Sequence, residues 1–505
     1  MTDEITGYDA VEGYCGSLSY APGERLTIHA SCTTSTWSAR IERWGATRDE
    51  VWRSGSLEGV AHPLPDDADA HGCGWPHGIE VDVPTTWPSG FYVVTLTADG
   101  APADRATSHA AFVVRAGDQR ARRLLVIATN TYNAYNSWGG RSLYTGGKEV
   151  SFRRPFGRGM IDRPATERDD RKSRPRRFGE EPDVDGEVYQ EYRFAHGLPG
   201  FMSSAGWFTY ERHFVEWAER DGIELDYAIS ADLERPGITD GYELVLGVGH
   251  DEYWSAPARD TVEAYVRGGG TYASMSGNTI FWQVRLVDDG DTMVCHKYSA
   301  HDTDPQGTAT TGMWCDPVVQ RPESAFLGAS SAYGLYSRFG QATPRGSGAF
   351  TVYRDDHWLL AGTGLRYGDL LGADHGVVGY ETVGCRIAFD ELQLPVRAGG
   401  DHTPEDLEIV AFSPSSNLAM GEYPKSIAAL DDQGDLEFIA TRLYGGTDPV
   451  SLAKVRHGNS VMVVCRPYGP SGGEVITIGS TDWVYGLDDP AVAQVTRNII
   501  SRAAR

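Results

Sequence analysis

Three segments of this chain concentrate side chains that can move protons or support developing charge. Thr131-Tyr132-Asn133-Ala134-Tyr135-Asn136, followed shortly by Ser142-Leu143-Tyr144, places three phenols close together. Gly249-His250-Asp251-Glu252-Tyr253-Trp254 adds an imidazole and two carboxylates, and Ser276-Gly277-Asn278 adds an amide. Carboxylate and imidazole are the usual general acids and bases, and an amide N–H can donate to an oxyanion. Ordinary roles compete with these. Tyr132, Tyr253, Trp138 and Trp254 are expected to supply pocket walls or packing. Glu252 could serve the first turn of a helix that begins near Pro257, and His250 could be a satisfied core imidazole.

Other chemistries are disfavoured by their missing parts. Gly247-Val248-Gly249-His250-Asp251-Glu252 starts like a dinucleotide fingerprint but has Glu where a third small residue must let the helix pack, and no glycine-rich loop runs into Gly-Lys-Ser/Thr. The turn after that apolar run holds no cysteine nucleophile, and Ser276 lies in Ser-Met-Ser-Gly-Asn rather than in a Gly-x-Ser-x-Gly elbow. The seven cysteines are scattered and never paired as Cys-x-x-Cys, which argues for reduced thiols and against a zinc knuckle or a disulfide scaffold.

The elements that must position these segments are readable from periodicity. Up to about residue 117, short alternating runs such as 25–30 and 90–97, each after a turn signal, predict an immunoglobulin-like β-sandwich. From residue 118 the pattern changes. Continuous apolar runs at 123–129, 225–229, 243–248 and 269–275 alternate with amphipathic helices at 211–222 and 257–268, which predicts an α/β domain with a doubly wound parallel sheet of the flavodoxin or amidotransferase type. The three chemical segments then fall just beyond the carboxyl ends of strands, where such sheets bind ligands. A glycine-rich, irregular and β-rich stretch spans about 286–445, and the chain closes with a strand at 472–479 and a helix at 489–505.

Composition bounds the partners. With 505 residues the chain is too long for one core. A net charge of −25 disfavours nucleic acid and acidic membranes, no stretch is apolar enough to span a bilayer, and the first residues are not a secretory signal, so a cytoplasmic protein is expected. One local exception, 153–177, carries ten basic residues against four acids and is read as an exposed loop or an arm docking on an acidic neighbour.

Taken in order, Thr131 to Asn136, Ser142 to Tyr144, Gly249 to Trp254, Gly277-Asn278 with Phe281-Trp282, Gly379-Tyr380-Glu381, Gly479 to Trp483 and Thr496 to Ile500 resemble the large subunit of N,N-dimethylformamidase and its relatives over about 122–505. The resemblance implies a mononuclear ferric ion held by Tyr135, Tyr144 and Glu252, with Tyr132 as an alternate to Tyr135, and His250, Asn278 and Glu381 as the catalytic polar set. It implies hydrolysis of a small amide by activated water. The segment between the two tyrosines is much shorter here than in the formamidase, which puts pocket walls and substrate size in question. The family enzyme has a separate small subunit, whereas this chain carries its own N-terminal β-domain; homo-oligomerisation is expected. Two alternatives stay open: the same ferric Lewis acid acting on a lactam or another carbonyl compound, and a non-catalytic ligand- or carbohydrate-binding protein.

Overall fold

Burial alternates residue by residue along Arg25–Cys32 and, apart from one slip between Ile41 and Glu42, along Thr36–Trp44, as in strands with one face on a core. The computed structural model describes residues 9–117, 120–163, 193, 195–336, 348–420, 422 and 434–502. It is a mixed α/β structure in which strands predominate and several sheets mix parallel and antiparallel pairs. Two compact units are present: of the described residues, those within 9–163, 193–238 and 285–296 form the first, and those within 239–284 and 297–502 the second.

In the first unit, Val11–Cys15, Arg25–Cys32 and His77–Asp82 form one antiparallel sheet. A second sheet runs in the order Ser19–Tyr20, Thr107–Val114, Gly90–Ala98, Thr36–Trp44 and Arg48–Arg53. Leu26, Ile28 and Ile79 from one and Ile41, Tyr92, Val94 and Phe112 from the other share a single apolar core. The same unit contains the parallel pair Arg123–Ile127 and Asp226–Ile229 and the helix Glu211–Arg220. That helix meets the second sheet through polar contacts, with Trp44 donating to Glu216 at 3.1 Å and Arg43 to Glu219 at 2.5 Å, while Phe91 stacks on Trp207 at 3.9 Å.

In the second unit, Leu244–His250 pairs in parallel with Thr271–Gly277, which pairs in parallel with Val475–Ile478. Beyond that strand His457–Cys465, Glu408–Ser416, Phe350–Val352 and Leu370–Leu371 follow, all antiparallel. Leu244–His250 and Val475–Ile478 are buried along their whole length, as continuous apolar runs require. No described helix is long and apolar enough to cross a membrane.

The basic run is only partly a surface feature. Arg153 pairs with Asp291 at 3.1 Å and Arg158 pairs with Asp9, consistent with docking on acidic neighbours. Arg154 departs from the expectation of an exposed loop, because it is fully buried. Residues 164–177 lie outside the described residues.

One buried acid carries a stability prediction. Glu323 is completely enclosed; its Oε1 accepts from Ser330 Oγ at 2.5 Å, and its Oε2 has no partner among the described residues. Burial raises its pKa to about 7. The folded state therefore holds a proton that the unfolded state releases above about pH 4.5, so this group lowers stability progressively from there to about pH 7, with no further change above. Glu323→Gln mimics the protonated acid. It should leave stability at pH 4.5 unchanged and raise it by about 2–3 kcal/mol at pH 8, read as a denaturant midpoint at both pH values; equal shifts at the two would remove the carboxyl as the cause.

Candidate active site

The phenols arise from a short helix where a loop is expected. After the buried strand Arg123–Ile127 the chain turns directly into Thr129–Tyr135, all of it buried, and Leu143 N–H donates back to Ala134 O at 3.0 Å. This return lays Tyr144 on Tyr135. Their rings stack at 4.2 Å between centroids, Tyr144 Oη donates to Tyr135 Oη at 2.6 Å, and Phe201 closes the stack at 5.4–6.0 Å. Tyr132 lies on the same helix, with its ring edge-on to Phe156 at 6.4 Å. The hydroxyl contact is therefore between Tyr135 and Tyr144.

Asn133, Asn136 and Arg154 hold this loop. Asn136 Nδ2 donates to Pro155 O at 2.9 Å, while its Oδ1 accepts from the N–H groups of Trp138 and Gly157 at 3.1 and 3.0 Å. Asn133 Nδ2 donates to Val150 O. The Arg154 guanidinium reaches the carbonyls of Asn136, Trp138, Arg141 and Ser151 and the side-chain oxygen of Asn133. Burial pushes its pKa down to about 10, which leaves it charged at neutral pH.

In the second unit, Leu244–His250 runs out into Asp251 and Glu252 before the short strand Tyr253–Ser255. Glu252 does not open the next helix: Ser255 caps Ala256–Arg267, its hydroxyl accepting from Ala258 N–H at 3.3 Å. His250 Nε2 lies 2.8 Å from Glu381 Oε2 and 3.4 Å from Glu252 Oε2. One ligand atom each of His250, Glu252 and Glu381 can be chosen so that all lie within 4.8 Å of one another. Asn278, held in a left-handed backbone conformation at φ 51°, donates from Nδ2 to Glu381 Oε2 at 3.0 Å. Asp251 is fully buried, and that burial raises its pKa to about 7.

Glu381 reaches this cluster because its segment is sewn to a distant one. Gly379 O accepts from the hydroxyls of Ser480 and Thr481 at 2.7 and 2.6 Å, and Glu381 O accepts from Thr481 N–H at 3.1 Å. Trp483 is in turn anchored by Thr496 on the closing helix. Gly277 sits against this seam. A Cβ there would stand 2.1 Å from Glu381 O and 2.6 Å from Thr481 N, so only glycine lets the strand end pass.

The structure thus groups the expected residues in two sets, Tyr135 with Tyr144, and His250 with Glu252, Asn278 and Glu381. Tyr253 and Trp254 behave as packing, both buried, with Trp254 Nε1 donating to Asp251 O at 3.2 Å. Two contributors escaped sequence reasoning. Trp282 donates from Nε1 to Glu252 Oε1 at 2.8 Å, and only its place in the Phe281-Trp282 motif signalled it. Arg154 was hidden in a run of charges.

The family model described as N,N-dimethylformamidase beta subunit-like, C-terminal, matches residues 38–497, a span that begins well before residue 122 and includes most of the N-terminal strands. No individual curated protein matches the chain.

Proposed function

Because the chain belongs to the N,N-dimethylformamidase beta subunit-like, C-terminal family, we propose that it is a mononuclear ferric amidohydrolase cleaving the C–N bond of a small, formamide-like amide. The ion would be held by the phenolates of Tyr135 and Tyr144 and the carboxylate of Glu252. The observation that carries the reading is the 2.6 Å approach of the two phenol oxygens. It is close to the separation of adjacent ligands on one small ion, roughly 2.8 Å for metal–oxygen bonds near 2.0 Å. The donor chemistry fits as well: three hard anionic oxygens suit a trivalent cation, whereas zinc favours histidine and cysteine.

Bound there, the ion would supply Lewis acidity to the amide carbonyl and lower the pKa of a water molecule. The chain's own residues move the protons. Glu381, with Oε2 facing His250 and Asn278, accepts a proton from the attacking water and returns it to the departing amine nitrogen. His250 orients that carboxylate. Asn278 Nδ2 spends one N–H on Glu381, and its other N–H donates to the developing oxyanion. On the same reading, the two N-terminal sheets around their shared core are an immunoglobulin-like sandwich, and the parallel strands with their helices are a doubly wound core.

A second reading is favoured by the His250, Glu252 and Glu381 cluster, which could by itself hold a divalent ion such as zinc. An absorption spectrum with metal analysis separates the two. Tyrosinate on ferric iron gives a visible charge-transfer band, expected here with about one iron per chain and lost in Tyr135→Phe and in Tyr144→Phe. Colourless protein holding zinc would select the second reading, and protein that takes up no metal would leave a binding protein. With the band present, hydrolysis of a formamide panel tests the reaction.

A further inference from the structure

We propose that Trp282 is a positioning residue that commits Glu252 to bind the ion through Oε2 alone. The inference rests on the assignment of Glu252 as a ligand and adds how it ligates. A carboxylate has two oxygens and can bind an ion through one or both. Here Oε1 accepts the indole N–H at 2.8 Å, while Oε2 lies on the side of His250, 3.4 Å from Nε2. Turning both oxygens to an ion would set the ion and the indole N–H in competition for Oε1 and weaken the bond that satisfies a buried donor.

The indole is fixed where this tie needs it. Trp282 is 1% exposed and packs against Phe281 at 4.7 Å, Tyr298 at 5.3 Å and Phe438 at 5.9 Å. The backbone makes the same connection, since the N–H groups of Phe281 and Trp282 both donate to Glu252 O at 3.0 Å. Tyr253 and Trp282 are then partners in a parallel strand pair. The left-handed turn at Asn278 and Ile280 brings the chain back to make it. Lys297 places its ammonium 5.3 Å from the indole centroid, and a cation over the ring withdraws density and strengthens the N–H as a donor.

The tie does two things. It selects one rotamer of Glu252, and by drawing charge to Oε1 it makes Oε2 a weaker donor, which keeps the ion more Lewis-acidic.

Trp282→Phe keeps an aromatic ring and removes only the N–H. Relative to wild-type protein, its tyrosinate charge-transfer band is expected to move to shorter wavelength, because a stronger carboxylate donor lowers the acidity of the ion. Because the carboxylate is no longer held in one rotamer, and this outweighs its stronger donation, iron loss to a competing chelator should quicken about tenfold. Phe438→Leu is the packing control; it loosens the indole's surroundings without touching the N–H and should leave the band in place. Lys297→Met keeps the N–H but weakens it, and should give a smaller shift in the same direction, a readout available even where Trp282→Phe does not fold. An unmoved band in Trp282→Phe, or an equal shift in Phe438→Leu, overturns the positioning role while leaving the ferric site standing. A wild-type protein without the band overturns both.

Discussion

On the proposed function, Glu381→Gln is expected to lower kcat about 10²- to 10⁴-fold, the usual worth of a placed general base, while the proposed iron content and visible band remain. Glu381 is buried, and its Oε2 is the convergence point of His250 Nε2 at 2.8 Å and Asn278 Nδ2 at 3.0 Å. A glutamine fits the same space and can still accept from Asn278 through its oxygen. What it cannot do is take a proton from water. The loss should therefore fall on kcat, with KM little changed, because in the proposed mechanism the residue acts in the transition state rather than in binding. Glu252→Gln supplies the contrast, since removing a proposed anionic ligand should release iron as well as activity. Steady-state kinetics with metal analysis on both variants checks the division of labour. Full turnover in Glu381→Gln would eliminate it as the base, and loss of metal would instead place Glu381 among the ligands, as the His250, Glu252 and Glu381 cluster allows.

The parts legible in the sequence are those whose causes are local. Leu244–His250 and Arg123–Ile127 announce themselves because strands buried on both faces need unbroken apolar runs, and both appear within two residues of where periodicity places them. Thr129–Tyr135 was not legible as a helix. Thr, Asn and Tyr have no apolar period, and the segment is helical because its surroundings bury every residue of it. The same limit applies to the ambiguity between Tyr132 and Tyr135. Both belong to one motif, and only the return of Leu143 to Ala134 shows which phenol meets Tyr144. Glu381 is a longer-range case. Its position depends on the Thr481 hydroxyl 100 positions further on, so sequence shows two unrelated motifs where the structure shows one seam. Trp282 could be seen but not interpreted, since nothing local says that an indole will tie a carboxylate thirty positions earlier.

Arg154→Met is expected to cost about 3–5 kcal/mol, the loss that a few buried acceptors left without a donor would give. Composition places this arginine among solvated charges, yet its five hydrogen-bonded contacts all end on neutral oxygens, four of them backbone carbonyls between 136 and 151. Each buried acceptor left without a donor costs about 1–3 kcal/mol. The sum is not the answer, because methionine also relieves the desolvation of a guanidinium whose pKa burial has already pushed down to about 10. The two effects oppose each other, and the orphaned carbonyls win because they are fixed by the turn that carries Tyr135 to Tyr144 and cannot all rotate to water. Lysine is no substitute: its single ammonium cannot span acceptors that the planar fork meets on both sides. The damage should therefore be local before it is global. Amide hydrogen exchange across 133–151 should quicken in Arg154→Met at temperatures where the Leu244–His250 strand keeps its protection, and the tyrosinate band of the proposed ferric site should be lost in step with it. Wild-type exchange in that segment would mean that the two asparagines, Asn133 and Asn136, hold the phenols by themselves.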